Sequence, residues 1–132
     1  MKLKMTLLLL LVGLLSVSAC KNENTSETPK ADPFTLSTSI HQTETAYQVQ
    51  YTVVKTNDVK IDLIRYVTNE GEKSVANPVS PWTLSVNVDK AKSVYLVASG
   101  SITSGKIFVM ATGSGDEGGH HYSFTDSLSQ SK

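Results

Sequence analysis

Apolar and polar residues alternate with a period of two over most of this chain. In "YQVQYTVV", Tyr47, Val49, Tyr51 and Val53 fall on one side, and Gln48, Gln50 and Thr52 on the other. Successive side chains of a strand point to opposite faces, so the pattern predicts a half-buried β-strand. "DVKIDLIRYVT" alternates through Val59, Ile61 and Leu63, then shifts phase to Ile64 and Tyr66. A β-bulge near Leu63–Ile64 accounts for the shift. "TLSVNVD" alternates through Leu84, Val86 and Val88, and "HHYSFTDSL" closes the set. "SVYLVAS" and "KIFVMAT" are mostly apolar, which predicts central strands. Short strands separated by Gly, Asn and Asp predict an all-β sandwich or barrel. About fifteen inward aliphatic and aromatic side chains are available to its core, each contributing roughly 1.5–3 kcal/mol on burial.

Three turn-rich stretches carry candidate chemistry. "GSITSGKI" spaces Gly100, Gly105 and Lys106 like a phosphate-binding loop, but Ile107 stands where the magnesium-binding hydroxyl belongs. A phosphate loop also needs a helix after it, and "KIFVMAT" has strand character. A hairpin turn between two strands, with Lys106 in solvent, is the expectation, and no nucleotide is expected. "GDEGGHH" brings Asp116, Glu117, His120 and His121 together in sequence. Adjacent strand residues face opposite ways, so His120 and His121 do not reach one ion from a regular strand. A second hairpin tip is the main expectation, and a metal held by one of these histidines with Asp116 is the minor alternative. "NPVSPW" holds two prolines and Trp82, the single tryptophan. Trp82 is expected to anchor the core where a strand begins; the alternative is an exposed aromatic platform for a sugar or a protein partner.

The N-terminus changes the picture of where such a domain would work. Lys2 and Lys4 precede an apolar run, Thr6 to Val17, and small residues lead to Cys20. That is the layout of a secretory signal peptide, too short to span comfortably, since spanning takes about 20 apolar residues. "VSAC" resembles the bacterial lipobox. The resemblance implies that residues 1–19 are cleaved and that Cys20 carries covalent lipid, with anchoring from several acyl chains at about 0.8 kcal/mol per buried methylene. Lys21 follows, in place of the aspartate that retains lipoproteins at the inner membrane, so an outer-membrane address is expected. Cys20 is the only cysteine, which leaves no thiol for a disulfide, a thiolate metal site or a nucleophile once it is lipidated.

The full chain balances 12 basic against 12 acidic residues; losing Lys2 and Lys4 leaves 10 against 12, a net charge near −2. No basic patch supports nucleic-acid binding. Residues 20–34 carry two prolines without periodicity and are expected to form the lipidated N-terminus and a flexible tether. Residues 35–128 are expected to form one domain, and residues 129–132 a frayed tail. No Gly-x-Ser-x-Gly elbow and no carboxylate pair singled out by spacing marks an enzyme.

The order "YQVQYTVV", "VKIDLIRYVTNEGE", "SPWTLSVNV", "VYLVASG" and "GKIFVMA" resembles the MmpS-type membrane-protein domain over about residues 45–112. Tyr47 and Val49, Pro81 and Trp82, and Ala98 occupy matching places. Two departures stand out: Lys55, Thr56 and Asn57 replace the family's glycine after the first strand, and its paired cysteines are absent. The resemblance implies a single immunoglobulin-like antiparallel β-sandwich of about seven strands, with no catalytic motif. It also implies an accessory role beside a transporter. Together these features lead to the expectation of a non-catalytic, lipid-anchored envelope lipoprotein with an accessory, assembly or transport-associated role and a protein partner. A surface glycan- or host-protein-binding lipoprotein is the alternative.

Overall fold

A computed structural model describes residues 27–132 of the 132-residue chain; the expected signal peptide and Cys20 lie outside the described residues. Ten strands follow in order: β1 (Asp32–Ser37), β2 (His41–Gln42), β3 (Tyr47–Lys55), β4 (Val59–Thr68), β5 (Gly71–Ala76), β6 (Trp82–Val88), β7 (Ser93–Val94), β8 (Leu96–Ile102), β9 (Lys106–Glu117) and β10 (His120–Ser131). They form two four-stranded antiparallel sheets, ordered β1-β8-β4-β5 and β10-β9-β3-β6, with β2 and β7 as a small separate pair. The architecture is the all-β sandwich that the alternation predicts. Its central pairs, β3 with β6 and β4 with β8, correspond to the B–E and C–F pairs of an immunoglobulin domain, and β5 takes the C′ place. The flanks are exchanged: β9 lies beside β3 and β1 beside β8, where that fold has strands A and G.

The core lies between the sheets. Tyr47, Val49, Tyr51 and Val53 of β3, all inward by alternation, are buried against Ile61, Ile64, Leu96, Ala98 and Ile102 of the opposite sheet. A bulge is present just before the expected Leu63–Ile64: β4 slips register against β8 between Ile61 and Leu63. That slip lets both Ile61 and Ile64 reach the core, at 4% and 0% exposure. The Tyr51 hydroxyl spans the sandwich and donates to the Val67 carbonyl of β4 at 2.8 Å. Thr43 ties the small β2–β7 region down: its hydroxyl donates to the Asp89 carbonyl at 2.7 Å and accepts from the Lys92 N–H at 2.8 Å.

Three local expectations are corrected, and one strand is added. The loop after "GSIT" is not a hairpin turn, because β8 and β9 belong to opposite sheets; residues 103–105 carry the chain from one layer to the other. Gly105 takes φ +96° there, a conformation that L side chains rarely adopt. Residues 129–132 are not a frayed tail. β10 pairs with β9 through Ser131, and Lys132 exchanges two backbone hydrogen bonds with Gly105 at 3.0 Å. The polar "SQS" conceals this strand because its serines lie on the solvent side. The tether ends earlier than residue 34: Asp32, Pro33 and Phe34 begin β1, and Phe34 enters the core at 5% exposure. Pro33 is tolerated because β1 is a sheet edge. Finally, "GEKSVA" forms β5, a strand that its composition does not announce.

The outer face of the second sheet has a regular composition. Registered across β6, β3, β9 and β10, one row reads Asn87, Gln48, Ser114, Ser123. The next reads Ser85, Gln50, Thr112, Thr125, and the third Thr83, Thr52, Met110, Ser127. Val54, Phe108 and Ser129 begin a fourth row.

Candidate binding groove

The side of the sandwich where β5 and β6 form the two sheet edges is open. Across the core β6 packs against β4, so β5 overhangs and only its Val75 is even half-buried. The consequence falls on β6. Its residues Trp82, Leu84, Val86 and Val88 pair with Val53, Tyr51, Val49 and Tyr47 and share their inward side. Val88 is buried at 1% exposure, but Trp82, Leu84 and Val86 are only half-buried. Inward-facing apolar side chains thus line a groove instead of a closed core.

The groove has a volume of about 450 Å³ and is walled by Tyr66 of β4 and by Leu84 and Val86 of β6. Its rim is polar. Lys73 of β5 pairs with Glu70 at 2.6 Å, an ion pair that raises the Lys73 ammonium and lowers the Glu70 carboxyl from their ordinary ranges. Asn69 closes one end by accepting the Asp89 N–H at 2.6 Å. An aromatic ladder supports the inner wall: Tyr51 and Tyr66 rings are 5.7 Å apart, and Tyr66 and Trp82 rings 5.4 Å apart, both tilted. Burial holds the innermost of the three, Tyr51, with its hydroxyl pKa pushed up to about 12. An apolar floor with a few polar groups at its margin is the usual makeup of a binding site. A second cleft, of about 360 Å³ between Lys55, Lys60, Asn57 and Asn77, lacks the aromatic wall.

The expected site residues are distributed as follows. Trp82 begins β6 half-buried: it packs against the core, and its ring lies 5.4 Å from that of Tyr66 in the groove wall. Asp116 and His121 pair across the β9–β10 hairpin, with His121 Nδ1 and Asp116 Oδ1 2.8 Å apart. His120 and Glu117 pair on the opposite face, where Glu117 accepts from Lys90 at 2.9 Å. Alternation therefore separates the two histidines, and among the described residues no group of three metal-ligating side chains forms. Gly100 sits inside β8, where a Cβ would run into the Lys60 carbonyl; Lys106 opens β9 on the solvent side. Among the described residues no helix is long and apolar enough to cross a membrane.

The sequence offered no sign that Leu84 and Val86 would line a groove. Their alternation is that of an ordinary core face, and their exposure follows from strand order alone. Compared with family models, curated proteins and solved structures, the chain matches none.

Proposed function

We propose that this chain is a lipid-anchored protein of a bacterial envelope whose β-sandwich binds without catalysing. Its partner is another envelope protein, received in the β5–β6 groove. The observation behind this reading is the half-exposure of Trp82, Leu84 and Val86 on β6, beside β3 positions that are fully buried. Among the described residues the outer edges of β5 and β6 pair with no strand, so an extended segment of the partner can lie along them and place apolar side chains in the groove. Such a role agrees with the transport-accessory or assembly function implied by the MmpS-type resemblance. A photo-crosslinking side chain at Leu84, in cells of the source bacterium, is expected to give a discrete protein adduct, and the same group at Ser99 on the far sheet is expected to give none. Identical patterns from the two positions refute the reading.

Anchoring rests on Cys20 and the residues before it, with the outer membrane as address because Lys21 replaces a retention aspartate. Labelled palmitate is expected to enter the wild type and not Cys20→Ala; equal labelling defeats the lipid anchor. A second reading, surface glycan or host-protein capture, is favoured by Trp82, whose ring leans on Tyr66 and is not fully buried. Glycan-array signal lost in Trp82→Ala with an unchanged circular dichroism spectrum supports it, and an unaltered signal removes it.

A further inference from the structure

The outer face of the β10-β9-β3-β6 sheet carries no charge over its three full rows and the partial fourth. None of these positions is buried. Charged residues make up 18% of the chain, an average that would place about two or three on a face of this size. The outer face of the other sheet behaves ordinarily and carries the Arg65–Glu72 ion pair at 3.5 Å. Charge returns at the ends of the neutral face, at the Asp116–His121 pair and at Lys55 and Lys106 beside the fourth row.

We infer that this face binds a neutral polysaccharide chain. An anionic or cationic ligand would find no counter-charge among the three rows and would lose hydration on contact. The face offers amides and hydroxyls instead. Gln48, Gln50 and Asn87 each present two donors and acceptor lone pairs, and each serine or threonine hydroxyl both donates and accepts. Sugar hydroxyls have the same double character. Phe108 and Val54 supply an apolar corner suited to the C–H face of a sugar ring, beside a hollow of about 140 Å³ whose other walls are Lys55, Thr56 and Lys106. The surface is a pleated sheet about four strands wide, with strands roughly 4.8 Å apart, so it fits an extended chain better than a single sugar. A protein partner is the poorer match: protein interfaces favour aromatic residues, Met and Arg and are depleted in Ser, and Ser and Thr dominate here. The face lies on the opposite side of β6 from the groove, because Thr83 and Ser85 alternate with Trp82, Leu84 and Val86; Asn87, near the end of β6, borders both.

The test is affinity electrophoresis of the full chain in detergent through gels containing a β-glucan, a xylan, a mannan or, as polyanion, alginate. Retardation by at least one neutral polysaccharide is expected, with affinity falling tenfold or more in Gln50→Lys and in Thr125→Lys. Ser99→Lys on the far sheet and Leu84→Lys in the groove are expected to leave it unchanged, which separates this face from the β5–β6 site. Retardation by alginate alone, by none of the four, or equally in Gln50→Lys overturns the inference. So does a sedimentation result in which Gln50→Lys converts a dimer to a monomer with no change in retardation.

Discussion

Replacing Tyr51 by phenylalanine tests a buried side-chain hydrogen bond that crosses the sandwich. The Tyr51 hydroxyl is buried and donates to the Val67 carbonyl at 2.8 Å. Removing it leaves that carbonyl without this donor, which costs about 1–3 kcal/mol when the group is buried. With a urea dependence of about 1–3 kcal/mol per molar, the midpoint should fall by roughly 1 M at pH 7. The pH dependence makes the test sharper. Burial raises the hydroxyl pKa from 10.0 to about 12 in the folded chain. The unfolded chain therefore releases this proton first, so the hydroxyl's contribution is complete below pH 10 and is lost as pH rises toward 12. At 1.36 kcal/mol per pH unit, about 2 kcal/mol is gone by pH 11.5. The wild-type advantage over Tyr51→Phe should thus be clear at pH 7 and close to zero at pH 11.5. Taking the difference between the two proteins cancels the other tyrosines and the lysines. Urea midpoints that differ by the same amount at both pH values would refute the reasoning, as would an unchanged midpoint at pH 7.

Three further outcomes follow from the packing. Gly113→Val should destabilise by about 1–3 kcal/mol, because a Cβ there would run into the Phe124 ring; a thermal midpoint equal to wild type contradicts it. Asp126→Asn should lower the thermal midpoint at pH 7, since the Ser39 N–H at 2.6 Å holds this carboxyl below its ordinary pKa. That contribution is present above pH 3.8 and lost as pH falls through the lowered value, so the gap to wild type should narrow at pH 3; a constant gap argues against it. Deleting residues 129–132 should lower stability and speed amide exchange in the facing residues 106–108 of β9, because it removes the β10 pairing and both Lys132–Gly105 hydrogen bonds. Unchanged exchange at those residues would restore the idea of a frayed end.

Alternation alone determined a good deal about this protein. Tyr47 to Val53 and Val59 to Tyr66 name their own inward faces, because a strand has only two sides and water selects between them. The bulge was readable as a break in phase at Leu63–Ile64, and the apolar density of "LVAS" and "IFVMA" marked strands with neighbours on both flanks. Only the tertiary structure decided which strands are neighbours. Sequence proximity suggested that β8 and β9 pair, but they lie in opposite sheets. β1, β5 and the end of β10 were hidden because an edge strand needs little apolar content to be held by one partner. The groove and the charge-free face share that origin. Leu84 and Val86 read as core until strand order leaves β6 at an edge, and Gln50, Thr112 and Thr125 become one surface only when β3, β9 and β10 are laid side by side. Periodicity is a property of one segment, fixed by backbone geometry and solvent. Adjacency is a property of pairs of segments, fixed by which packing of all the strands buries the most apolar surface.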